Sequence, residues 1–307
     1  MLRLVRGVRT NYFQEALLMA LTRFFKLLSV LSLFSLFLGQ TAQAQRDFGN
    51  VEVTAHHVSG NYYYLEGAGG NIGISVGEDG VIMIDDQFAP LTDKILAAIR
   101  GLSDGEIRFV INTHVHPDHT GGNENLGKMG LVILARDEVR VRLRDSLPEV
   151  ALPVLTFSDT VTIHMNGEEV YVFKVPPAHT DGDSYIYFKD SDVIHAGDVF
   201  RTTALPYIDR ENGGTLQGTI DGLGLLIGAS GPNTKIIPGH GVVSTREDVI
   251  AFRDMTIELS DQIAEMIERG MSYDQIAAAN PTRAYNDRYG DPERFLRAVY
   301  AELGGEE

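Results

Sequence analysis

The chain has 307 residues, no cysteine, and 42 acidic against 26 basic side chains, for a formal charge of −16. That balance argues against nucleic acid or an anionic membrane surface as a partner. Without cysteine there is no disulfide, no thiolate ligand and no thiol nucleophile, so a hydrophobic core must hold the fold alone.

In chain order, the first 44 residues read as a secretory signal peptide. Arg23 and Lys26 precede an apolar run from Leu27, and Ala42-Gln43-Ala44 forms an A-x-A cleavage site. The run is short for a membrane span. The reading is translation from Met19, cleavage near Ala44–Gln45, and a periplasmic or secreted protein with no membrane attachment after cleavage. Residues 45–307 then form one domain. Strands are predicted over 51–58, 61–66, 71–76 and 80–85, separated by glycine-rich turns. Helical spacing of Leu, Ile and Ala covers 91–102. A strand at 109–112 is followed by a plausible helix start at Gly121-Gly122-Asn123-Glu124. An apolar strand at 131–135 and a charged helix near 137–146 come next. Alternation returns at 161–165, 170–175 and 185–188. Then follow a strand at 192–195, a helix over 216–229, a strand at 235–237 and a helical end from Glu247. Two β-rich halves with helices outside predict an α/β fold, a four-layer αββα sandwich.

The most informative stretch is Thr113-His114-Val115-His116-Pro117-Asp118-His119-Thr120-Gly121-Gly122. Three histidines and a carboxylate fall within six residues at the end of a buried strand, where their side chains can converge on a borderline metal such as zinc. Three further candidates each follow a predicted strand beside Gly or Pro: His179, Asp198 and His240. Together they make five histidines and two aspartates, enough for two ions with an open coordination position.

This pattern resembles the metallo-β-lactamase-fold hydrolases: His-x-His-x-Asp-His, a histidine after one strand, Gly-Asp after the next, and a late Pro-Gly-His-Gly. Gly80-Val81-Ile82-Met83-Ile84-Asp85 is similar to the family's first motif, in which an aspartate ends a strand and braces the metal loop. The resemblance implies two Zn2+ per chain. His114, His116 and His179 would hold the first, and Asp118, His119 and His240 the second. Asp198 would bridge them or bind the second. It also implies a metal-bound hydroxide that attacks a carbonyl carbon of a small-molecule substrate, with Asp118 as the catalytic residue that orients it. Zinc brings the pKa of bound water to about 7, so hydroxide is present near neutral pH.

Asp198 departs from the best-known lactamases of the fold, which carry Cys or Ser there. An aspartate is similar to glyoxalase II, lactonases and phosphodiesterases. The expected substrate is a β-lactam-like amide, a lactone or an ester. The alternatives are a thioester of the glyoxalase II kind or the chemistry of a mononuclear iron sulfur dioxygenase. Arg201 and Asn212 are candidate substrate contacts, one for a carboxylate and one for an oxyanion. Four other histidines are set aside. His195 reads as a buried, hydrogen-bonded core residue. His56 and His57 point to opposite faces of a strand, and His164 reads as solvated. Tyr62-Tyr63-Tyr64 puts one face in the core and leaves the other for the site mouth.

Overall fold

Among the described residues the buried apolar side chains gather into four clusters, three of which are contacts between two layers. The computed structural model describes residues 47–304, so the signal peptide, Met19 and the cleavage site lie outside the described residues. All elements below belong to the unit that begins at Phe48.

The first sheet has seven strands in sequence order: β1 (Thr54–Ser59), β2 (Tyr62–Glu66), β3 (Ile72–Gly77), β4 (Gly80–Ile84), β5 (Ile107–Ile111), β6 (Val132–Arg136) and β7 (Leu155–Phe157). The first four form an antiparallel meander, and the last four pair in parallel. The second sheet holds β8 (Thr160–Met165), β9 (Glu168–Lys174), β10 (Ser184–Phe188), β11 (Val193–His195) and β12 (Lys235–Ile237) in the order β12-β11-β10-β9-β8. Only β11 and β12 pair in parallel there.

Tyr62, Ile82, Ile84 and Ile111 of the first sheet meet Val170, Val172, Ile186 and Phe188 of the second in a dry layer. Burying a side chain of this kind stabilises the fold by about 1.5–3 kcal/mol. The other face of the first sheet, including Leu65, Ile74 and Met83, packs on Leu91 and on Ile95 and Ile99 of the helix Thr92–Arg100 that follows it. That helix carries Asp93 in its first turn and Arg100 in its last, matching its dipole. The outer face of the second sheet packs on the helices Leu216–Ala229, Arg246–Glu268 and Glu293–Glu302. The architecture is therefore the αββα sandwich that alternation and helix spacing predicted.

Differences from the sequence reading are local. β1 starts at Thr54 rather than 51, the charged helix stops at Leu143 rather than 146, and the three-residue β7 is an addition. The helical end breaks into four pieces because Gly270, Asn280 and Gly290 take φ of +77°, +51° and +74°, beyond the reach of a continuing helix. Tyr63 is not at a site mouth: it packs with the outer cluster of the first sheet, while Tyr62 and Tyr64 fill the layer between sheets. His195 is fully buried with Nε2 3.0 Å from the Asn71 carbonyl, and His164 is exposed. His56 stacks on Tyr64 and His57 lies edge-on to Tyr63. Among the described residues no helix is long and apolar enough to cross a membrane.

β4 and β5 are parallel, so both end on one rim of the first sheet. β9, β11 and β12 end on one rim of the second, because β10 runs against both β9 and β11 while β12 follows β11. Hydrogen bonds stitch the two rims together. Ser184 N donates to Thr113 O at 2.9 Å, and Asn71 donates through N to Gly239 O and through Nδ2 to Pro238 O and Gly241 O. The loops that follow β5, β9, β11 and β12 on this double rim carry the candidate ligands.

Candidate metal centre

The loop after β5 owes its shape to Pro117. His116 is extended (φ −67°, ψ 148°), and the fixed φ of proline then starts a single helical turn, Pro117–Thr120. The His119 and Thr120 amides both close on His116 O. The turn folds His119 back toward His114, with ring centres 4.2 Å apart. Asp85, at the end of β4, takes φ +62°, a costly conformation for a non-glycine residue. There its buried carboxylate accepts from Thr113 N (2.7 Å) and Thr113 Oγ1 (2.8 Å) and meets His119 Nδ1 at 2.7 Å. The aspartate of the Gly80–Asp85 motif braces the histidine loop, as the resemblance implied.

All seven nominated ligands converge. Their donor atoms fall into three overlapping groups, each within 4.8 Å: His114, His116 and His179; His114, His119 and Asp198; and Asp118, His119 and His240. Asp198 lies between the halves, with Oδ1 3.2 Å from His119 Nε2 and Oδ2 3.9 Å from His179 Nε2 and 3.4 Å from His240 Nε2. Gly239 makes room for it: a Cβ there would stand 1.9 Å from Asp198 Oδ1.

Four of the five imidazoles have one nitrogen committed to the protein. His114 Nδ1 lies 2.9 Å from Thr113 Oγ1, His116 Nε2 2.7 Å from Asp209 Oδ2, and His179 Nδ1 2.6 Å from Tyr207 O. His119 Nδ1 is on Asp85, as above. Such partners fix the tautomer and leave the other nitrogen as a lone-pair donor. His114 Nε2 and Asp198 Oδ1 are buried with no hydrogen-bond partner. Orphaned buried acceptors in a cluster of imidazoles and carboxylates fit a divalent cation.

The charges divide the site. Burial pushes the His114 imidazole well below its usual range and His179 down to about 4. Burial also opposes charging of His119 and His240, but Asp198 outweighs it at both, helped by Asp85 at His119 and by Asp118 at His240, and both are raised. For Asp118 burial raises the carboxyl, yet the hydrogen bond with His240 and the charge of His119 hold it at about 2. Asp118 and His240 are also the open members, with side chains 28% and 22% exposed. Asp118 Oδ2 is 3.1 Å from His240 Nε2.

Arg201 comes beside the centre, with Nη1 3.8 Å from Asp198 Oδ2 and a buried Nε that has no partner. Asn212 does not face the centre. Its amide donates to Asp209 Oδ2 at 2.7 Å and its Oδ1 accepts from Arg142 at 3.2 Å, so the geometry makes it a brace for the carboxylate that holds His116 rather than an oxyanion donor. The structure adds Asp209 and Tyr207, which sequence reasoning missed. Tyr207 lies flat on His116, ring centres 5.6 Å apart and 13° from parallel, and meets His179 edge-on at 5.1 Å. Both sit in Leu205-Pro206-Tyr207-Ile208-Asp209, a segment with no strand before it. The only usable signal was the turn chemistry around Asn212-Gly213.

A histidine–aspartate centre on the joined rims of an αββα sandwich defines a class of metal-dependent hydrolase. A model of the metallo-beta-lactamase superfamily matches residues 59–240, more than half the chain, and the chain belongs to that superfamily. Among curated relatives it is 22% identical over 282 residues to a linear primary-alkylsulfatase of Pseudomonas sp. (strain ATCC 19151), covering 72% of this chain and 53% of that protein. It is 29% identical over 145 residues to a hydroxyacylglutathione hydrolase of Pelagibacter ubique (strain HTCC1062), covering 46% and 56%. The chain thus spans about half the length of the curated relatives it matches. Among solved structures, a stereoselective inverting sec-alkylsulfatase from Pseudomonas sp. superposes with a TM-score of 0.69 at 18% identity, over 83% of this chain and 51% of that one. A metallo-beta-lactamase from Pontibacter korlensis gives 0.59 at 15% identity, over 67% and 99%.

Proposed function

We propose that this protein is an exported dinuclear zinc hydrolase that cleaves a small carbonyl compound: a β-lactam-like amide, a lactone or an ester. The observation that carries this reading is Asp198. One buried carboxylate reaches donor atoms of both halves of the site, which suits two ions held close together. His114 Nε2, His116 Nδ1 and His179 Nε2 would hold the first ion, and Asp118, His119 Nε2 and His240 Nε2 the second, with Asp198 between. Two such ions supply Lewis acidity and a water acidic enough to lose a proton near pH 7. Asp118, ionised and partly open, would orient that water. Asp85, Asp209 and the Tyr207 carbonyl fix the imidazoles, so little reorganisation is needed during turnover. Arg201 sits where a substrate oxyanion or carboxylate would approach Asp198. The apolar run from Leu27 and the Ala42-Gln43-Ala44 site support export to the periplasm or beyond.

The relatives favour one second reading. The alkylsulfatases match more of this chain than the lactamases do, so a sulfate ester belongs beside the carbonyl substrates. The test is metal analysis followed by a substrate panel of penicillins, carbapenems, lactones, carboxylic esters, thioesters, phosphodiesters and alkyl sulfates. Close to two zinc ions per chain, loss of turnover with chelator and its return with zinc are expected. One iron per chain with dioxygenase activity overturns the reading. Because a shared aspartate narrows the open face against a bicyclic ring, β-lactam turnover should be weak. A kcat/KM above about 10⁵ M⁻¹s⁻¹ on several β-lactams would make the chain a lactamase outright.

A further inference from the structure

Arg294 stands on the exposed side of the C-terminal helix Glu293–Glu302, outside the stretch matched by the family model. The helix is pinned by Phe295, Leu296 and Val299 in the core, so the position of Arg294 is set by a rigid element. Its guanidinium lies over the Tyr207 ring, 4.9 Å from the centroid. The same Tyr207 ring stacks on His116 and meets His179 edge-on. Among the described residues no carboxylate lies within ion-pair distance of Arg294, and the adjacent Glu293 is taken by Arg297. Burial and the Asp209 charge raise the Tyr207 phenol, and the Arg294 and Arg201 charges both act against that shift. Of the acidic groups near that phenol, Asp209 is occupied by His116 and Asn212, and Glu211 stands on the short turn Arg210–Asn212.

An arginine with no anionic partner, in a chain of net charge −16, held one aromatic ring away from two candidate ligands, is an anion receptor in search of an anion. We infer that Arg294 recognises an anionic group on the substrate, one remote from the bond that is cleaved, with Tyr207 as the platform between that group and the metal centre. The inference rests on the proposed hydrolytic function and gives it a substrate class: compounds with an oxyanion tail such as a carboxylate. It also explains the use of the C-terminal helices, which complete the substrate site rather than only covering the second sheet.

The test uses two probes that differ in one charge, 4-nitrophenyl hydrogen glutarate and its methyl ester, with zinc-loaded full-length protein. Wild type should prefer the ionised ester. Arg294→Ala and Arg294→Glu should lower the ratio of kcat/KM for the ionised over the neutral ester by at least tenfold, mainly through KM, and Arg294→Lys should recover part of it. A ratio unchanged within twofold in both variants overturns the inference, whatever happens to the separate rates. If neither ester is hydrolysed, the ester reading of the function fails, and calorimetric binding of glutarate decides the inference independently. At least tenfold weaker binding to Arg294→Glu than to wild type supports it, and equal binding overturns it.

Discussion

The two halves of the centre share imidazoles, differ in their carboxylates and behave oppositely. His114, His116 and His179 form a half without a carboxylate of its own. Burial keeps His114 and His179 neutral, and each ring is fixed by a hydroxyl, a carboxylate or a backbone carbonyl. Asp118, His119 and His240 form a half in which Asp118, Asp198 and Asp85 lie against two imidazoles and raise them. One half is preorganised and presents lone pairs. The other is charge-rich and would have to give up protons to take a cation. A site so divided should fill in steps, with different pH dependence in each, and Asp198 is where the two steps couple.

Removing that coupling should have the largest effect. Asp198→Ala leaves both groups without their shared carboxylate, so hydrolysis should fall by more than about 100-fold, beyond the usual cost of losing an outer partner. Metal analysis should show fewer than two ions per chain. A variant that keeps two ions and wild-type turnover would show that Asp198 connects nothing. Asp118→Asn sharpens the point: it should reduce kcat more than it raises KM, because the amide keeps the size and loses the charge that orients water. Two bound ions with unchanged kcat would remove Asp118 from the mechanism.

A smaller and more discriminating effect comes from the braces. Asp209 supports the three-histidine half through His116, whereas Asp85 contacts the other half directly through His119 and reaches His114 only through the Thr113 hydroxyl. Loss of such a partner typically costs 10–100-fold in metal affinity. Asp209→Ala should weaken one step of a zinc titration and Asp85→Ala the other. If both variants weaken the same step, the division into halves is wrong. Asp85 also holds the loop through Thr113, so Asp85→Ala should lower Tm more than Asp209→Ala does.

The convergence of the candidate ligands was legible in the sequence because each comes soon after a strand, and strands of a layered sheet end on common rims. His114 to His119 follow β5, Asp198 follows β11 and His240 follows β12. The sandwich itself was legible because alternation and helical spacing are local. Asp209, Tyr207 and Arg294 were not legible, for a physical reason. They reach the site from a coil segment and from a terminal helix, and only the packing of Phe295, Leu296 and Val299 brings that helix to Tyr207. Asn212 was misread because glycine-rich turns expose many amides, and the sequence does not show which one a neighbouring carboxylate will claim.

The pH dependence tests the electrostatic asymmetry directly. A raised imidazole keeps its proton to higher pH, and that proton must leave before the nitrogen can bind metal. His119 and His240 are raised, so affinity of their half should fall as pH drops through their range, by up to about tenfold per pH unit for each proton displaced. His114 is lowered and His179 sits at about 4, so these two rings set no proton competition for their half until the solution is distinctly acidic. On acidification from pH 8 to pH 6 the protein should therefore lose one ion before the other, and zinc uptake at neutral pH should release protons into a weakly buffered solution. In His240→Ala the step that fills the His119 half should release fewer protons than in wild type, because only the His119 proton remains to be displaced, and the other step should be unchanged. Loss of both ions together over that range, or uptake with no proton release, would mean that the two halves share one electrostatic character.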